Sequence, residues 1–151
     1  DGPVDAVVSG LGLLSMSRRF QREILQAAFG VLAPHGRFVQ FTYGLHDREP
    51  ERQLLPLAAE RRMAVIANRP FDGGDLFVRV RGRPLPNWAA EIDCANWAQV
   101  FLKFAVSHPA VTCAIPATSN PAHMIENMGA NFGRLPDAAL RRRMAQQFDS
   151  L

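Results

Sequence analysis

Apolar positions fall in short, nearly continuous blocks, separated by longer stretches in which they recur every three or four residues. Residues 4–9 (VDAVVS), 37–43 (RFVQFTY), 63–67 (MAVIA) and 111–115 (VTCAI) read as strands buried on both faces. Residues 18–32 carry helical spacing through Phe20, Ile24, Ala28 and Val31, with Ser17 as N-cap and Pro34 and Gly36 beyond the end. A second helix is predicted from Asp47. Glu49 and Glu51 stand in its first turn and Arg61 and Arg62 in its last, which suits the helix dipole. Pro56 falls inside it and is expected to kink or delay it.

A loop punctuated by glycine and proline follows, over residues 69–86. Residues 96–107 read as an amphipathic helix with Trp97, Val100, Phe101 and Phe104 on the core side. The last two helices are predicted at 121–129 and 136–148, each with proline in its first turn.

Strands alternating with helices predict an α/β fold of parallel units joined by right-handed crossovers. Four such units make half of a TIM-barrel-like fold or a small open parallel sheet covered by helices. A chain of 151 residues suits a single compact domain over residues 1–151. Either sheet leaves two edges of unpaired backbone, which points to a second copy or a half-barrel partner.

Composition narrows the partners. Hydrophobic residues make up 48% and charged residues 21%, as in ordinary globular proteins, and no apolar run is long enough to span a membrane. The net charge is +3, almost all of the positive charge is arginine, and Lys103 is the lone lysine. The arginines are spread along the chain, apart from Arg79, Arg81 and Arg83 in one loop and 141–143 in one helix. A nucleic-acid surface would gather them on one face among aromatics, so solvated surface arginines are expected, and no nucleic acid. Cys94 and Cys113 lack metal-ligand spacing and read as buried thiols. The chain opens on Asp1 without a leader, which suggests a fragment or processed piece in the cytoplasm.

The segment VTCAIPATSNPAHMIENMG (111–129) carries the most chemistry. A buried strand runs through a short polar turn into a helix that Thr118, Ser119 or Asn120 can cap. Free backbone N–H groups and a positive dipole end at the carboxyl end of a strand suit a phosphate. In β/α barrels the last two such loops commonly form this site.

From residue 45 to 144 the chain resembles the C-terminal part of bacterial aldo/keto reductases. The stretches that carry the likeness are DREPERQLLPLAAERRMAVIANRPF, WAQVFLKFAVSHPAVTCAIPATSNPAHMIEN and GRLPDAALRRRM, in family order and spacing. The resemblance implies an oxidoreductase using NADP or NAD. The turn after VIAN would meet the cofactor's ribose and pyrophosphate through Arg69, Pro70 and Phe71. The IPATSNPAHMIEN segment would hold the adenosine end, with Thr118 at the 2′-phosphate, His123 beside it, and Glu126 and Asn127 at the adenine. Ala117 and His123 stand where many members carry basic residues. Gln40 would face the nicotinamide carboxamide.

The family's tyrosine, lysine, aspartate and histidine lie in a half of the barrel with no counterpart here, so no catalytic residue is assigned. Tyr43, the lone tyrosine, and Lys103 are not brought together by anything in the sequence.

Residues 4–44 resemble something different: the central part of a class I S-adenosylmethionine-dependent methyltransferase of the phospholipid N-methyltransferase type. VDAVVSGLGLLSM and LAPHGRFVQFTYG carry that likeness. Gly10 and Gly12 follow the wrong strand for a cofactor fingerprint and read as a permissive loop. Three readings follow. The first is a chimeric aldo/keto reductase-like piece that keeps the adenosine-phosphate half of the cofactor site and is not catalytic alone. The second is a methyltransferase fragment, and the third a non-enzymatic recombination product.

Overall fold

The structure, a computed structural model, describes residues 38–151. The strand and helix predicted at 4–9 and 18–32 lie outside the described residues, as does the loop with Gly10 and Gly12. Three parallel strands form one sheet in the order β1 (Phe38–Thr42), β2 (Ala64–Asn68), β3 (Cys113–Ile115). Gln40 stands beside Ile66 and Thr42 beside Asn68; Asn68 in turn stands beside Ile115. Val65, Ala67 and Ala114 belong to the hydrophobic core, and Val39 and Phe41 pack half-buried against it. In β1 the alternate positions, Phe38 and Gln40, are exposed. Among the described residues, the three strands therefore present one face to the helices and leave the opposite one only partly covered.

Each strand begins later or ends sooner than its apolar block predicts. β3 starts at Cys113 because Thr112 replaces a ladder bond: its Oγ1 accepts from Val65 N at 3.0 Å. The helix expected from Asp47 is split. Residues Glu49–Glu51 form one 3₁₀ turn, and α1 (Leu54–Glu60) begins only after it. Pro56, which has no N–H to donate, sits in the first turn of α1, and Leu57 N makes a helical bond to Gln53 O. Arg61 and Arg62 follow the helix rather than filling its last turn, and Arg62 has a positive φ of 51°.

The predicted loop after β2 contains a 3₁₀ turn at Asp72–Gly74 and the short helix α2 (Asp75–Arg79). Five residues are too few to show a 3.6-residue repeat, which is why the sequence pattern missed it. A further 3₁₀ segment, Asn87–Ile92, leads to α3 (Trp97–Val106), whose N-cap Asn96 accepts from Gln99 N at 2.9 Å. α3 is not amphipathic in place. Ala98 through Ala105 are all buried, Gln99 and Lys103 included. After β3 come α4 (Pro121–Met128), a 3₁₀ turn at Gly129–Asn131, and α5 (Ala138–Asp149). Asp137 caps α5 by accepting from Leu140 N at 2.8 Å, so Pro136 lies before the cap and not in the first turn.

The expectation of solvated arginines fails at two positions. Arg79 lies over the Phe148 ring and Arg141 over the Phe104 ring, each with its guanidinium carbon 4.1 Å from the ring centroid. Among the described residues, no helix is long and apolar enough to cross a membrane.

Candidate functional site

The carboxyl ends of β2 and β3 open into a cleft of about 630 Å³. One wall is the turn after β2. Arg69 takes a positive φ of 48° there and turns the chain so that Pro70 is buried. Gly44, in the loop after β1, touches this turn: a Cβ on it would meet Pro70 O at 3.0 Å, so a side chain there would push the two loops apart by a few tenths of an ångström. The turn then runs through Gly73 and Gly74, both at positive φ (68° and 108°), which α2 follows. Phe71 and Phe77 pack with ring centroids 5.0 Å apart, and Phe77 packs against Phe101 at 5.5 Å, so this wall is aromatic.

The opposite wall is the end of β3, the turn that follows it, and α4. His123, Glu126 and Asn127 are spaced three and four apart, so one face of the helix presents all of them. Asn120 caps α4. Its Oδ1 accepts from Ala122 N at 2.9 Å, while Thr118 Oγ1 accepts from Asn120 N at 3.1 Å. The free row of backbone N–H groups read from the sequence is thus partly used by the turn's own side chains. Polar side chains in the turn compete for the same donors as an incoming anion.

Seven of the eight residues singled out from the sequence line this one cleft: Arg69, Pro70, Phe71, Thr118, His123, Glu126 and Asn127. Gln40 does not. It is exposed on the sparsely covered face of β1, beside Ile66. The fixed charges lining the cleft are Arg69 and Glu126, and Arg69 Nη2 lies 3.9 Å from Asp72 Oδ1. Asn127 is buried at 6% exposure, whereas His123 and Glu126 are open to solvent. Sequence reasoning missed Gly73, Gly74, Phe77 and Ala98 as lining residues. The double glycine was a usable signal for a tight turn; Phe77 and Ala98 come to the cleft only through packing.

The chemistry-bearing residues outside the cleft are held elsewhere. The Tyr43 hydroxyl donates to Glu51 Oε1 at 2.6 Å and accepts from Arg141 Nη2 at 2.7 Å. Burial and then the Glu51 bond hold this phenol well above its ordinary range. Lys103 Nζ donates to the carbonyls of Ile92, Phe132 and Arg134 at 2.6, 2.6 and 3.0 Å. Tyr43 and Lys103 thus bind different partners, and neither lines the cleft. Among the described residues, no three His, Cys, Asp or Glu side chains gather as a metal site would require. The cleft is mostly apolar and aromatic with a few polar groups at its rim. That suits holding a flat, polar-ended molecule better than nucleophilic chemistry.

No protein-family model matches the chain, and no curated protein matches its sequence. Solved structures do. A thermostable aldo-keto reductase solved with the inhibitor epalrestat aligns over 90% of this chain at a TM-score of 0.56 and 20% identity. An aldo-keto reductase from Klebsiella pneumoniae in complex with NADPH aligns over 82% at 0.56 and 20%. An aldo-keto reductase from Bacillus halodurans aligns over 83% at 0.54 and 17%. The chain spans less than half of each of these structures: 46%, 44% and 47%. The likeness supports neither a methyltransferase portion nor a chimera; that reading rests on residues 4–44, which apart from 38–44 lie outside the described residues. What the likeness does establish is architecture: the chain has part of the TIM-barrel-like α/β fold of aldo-keto reductases, with a small open parallel sheet and its helices.

Proposed function

We propose that this chain is part of an aldo/keto reductase-like oxidoreductase and that its cleft takes the adenosine-phosphate end of NADPH or NADH. The observation that carries this reading is the convergence of two segments, 69–71 and 118–127, on one cleft at the carboxyl ends of adjacent parallel strands. Ligands of β/α barrels bind at that end. The aromatic wall of Phe71 and Phe77 offers a surface for a flat base or ribose, and Arg69 offers the positive charge for a phosphate. Two of the solved structures similar to this chain hold NADPH, or NADP with acetate.

The chain on its own is a binding unit and not a catalyst, because no tyrosine or lysine among the described residues faces the cleft. The exposed face of β1 and its edge suit association with a second copy or with the other half of a barrel. Fluorescence titration of the intact chain with NADPH and NADH tests the reading. A half-site leaves the nicotinamide end unheld, so a Kd on the order of millimolar is expected. Arg69→Ala should weaken it several-fold. No binding signal from either nucleotide at millimolar concentration would overturn the proposal.

A further inference from the structure

α3 carries two buried polar side chains one turn apart, Gln99 and Lys103, on the face that meets the chain after β3. Both bind backbone. Gln99 is 8% exposed. Its Oε1 accepts from Ala95 N at 2.7 Å and its Nε2 donates to Glu126 O at 3.1 Å. Glu126 and its neighbour Asn127 form the α4 wall of the cleft, and Ala98, next to Gln99, also lines the cleft. Gly129 ends α4 directly against this amide: a Cβ there would fall 2.2 Å from Gln99 Nε2. Lys103 grips the same strip further along, at Phe132 O and Arg134 O.

We propose that Gln99 is a positioning residue for the cleft. Its amide, wedged into the space that Gly129 leaves, fixes how far α4 stands from α3 and so sets the width of the opening. The proposal rests on the cleft being a nucleotide site. The contact is to a main-chain carbonyl, so it controls the place of the helix whatever side chains the helix carries. A desolvated amide with both ends bonded resists displacement, because either end left unpaired in the interior is costly. The missing Cβ matters equally. A methyl at Gly129 cannot coexist with Gln99 in its present rotamer, and the amide cannot leave without releasing Glu126 O and Ala95 N.

The experiment is a double-mutant cycle on the intact chain with Gln99→Ala, Gly129→Ala and the pair. NADPH affinity is read by fluorescence titration well below the melting temperature of every variant. Hydrogen exchange of residues 121–128 is read without nucleotide. Each single variant should bind about tenfold more weakly, as expected when a displaced wall loses part of its contact with the ligand. Each should also exchange faster across α4. The double variant should be no worse than the worse single one, because the Gly129 methyl then fills space that Gln99 has vacated. Singles that bind and exchange as the parent does would overturn the proposal, as would losses that multiply to about a hundredfold in the pair. A parent chain that binds no nucleotide would sink the cofactor reading alone; the exchange of α4 would still decide the role of Gln99.

Discussion

Single residues here have surroundings that their sequence neighbours do not announce. Lys103 looks like a surface lysine on a helix, yet it is fully buried and its ammonium is answered by three backbone carbonyls. Lys103→Met keeps much of the volume and leaves those carbonyls without a donor. It should cost about 3 kcal/mol, read by chemical denaturation. Cys94 follows the 3₁₀ segment before α3, and burial pushes its thiol up to about 11. The thiolate is the nucleophile, so iodoacetamide at pH 8 should leave Cys94 unmodified in the folded protein and react once it is unfolded. A mass shift on Cys94 in the native protein would contradict this.

His108 is pulled below its ordinary pKa by burial first and by the Arg141 charge second, and its Nδ1 lies in position to accept from Ala110 N at 3.2 Å. The unfolded chain therefore holds this proton more tightly than the folded one. The resulting stability is complete above the ordinary histidine pKa of about 6.5 and is lost as pH falls from there through the lower folded value. Melting temperature should drop between pH 7.5 and 5.5, and His108→Asn, which keeps the acceptor, should shrink the drop.

Elements obeyed local signals where a cap or a proline spoke for them. α4 begins at Pro121 behind Asn120, as its turn predicted, whereas α5 begins behind Asp137, past the proline from which the sequence pattern started it. Asp137→Ala should cost about 1 kcal/mol, seen as a lower denaturation midpoint with unchanged slope. α1 and α2 were less legible. Glu49 and Glu51 with Arg61 and Arg62 predicted one helix running from Asp47 through α1, yet Glu51 serves Tyr43 and Arg141 and not a helix dipole. α2 is too short to register as a periodic pattern, and three successive left-handed residues, Asp72, Gly73 and Gly74, lead into it before Phe77 joins the cleft wall.

At the scale of the molecule, contacts between distant segments decide the arrangement. Arg141, in the last helix, pairs with Glu51 at 2.8 Å, donates to the Tyr43 hydroxyl, and binds Phe104 O and Ser107 Oγ at the end of α3. It thus joins the chain after β1 to α3 and α5. Arg141→Leu would strand the Glu51 carboxylate and the α3 carbonyl together. A loss of about 3 kcal/mol is expected, with the Glu51→Gln variant in the same background recovering part of it. The face of the sheet that carries Gln40 is the other decision made at this scale. Parallel sheets are ordinarily covered on both sides. Light scattering that reports more than one copy per particle would support pairing through this face, and a monomer at all concentrations would count against it.

The sequence by itself determined the parallel α/β architecture, because apolar blocks, helix caps and turn prolines are local signals. It also singled out the two segments that meet at the cleft, since their residue order resembles that of a known family. It did not determine which of those residues would meet. Gln40 shares the pattern but faces another surface, because a strand's alternation sends neighbouring residues to opposite sides. Nor did it show that Gln99, Lys103 and Arg141 are bound to main chain. A backbone carbonyl has no letter in the sequence, and only the tertiary structure can say which polar side chain will find one.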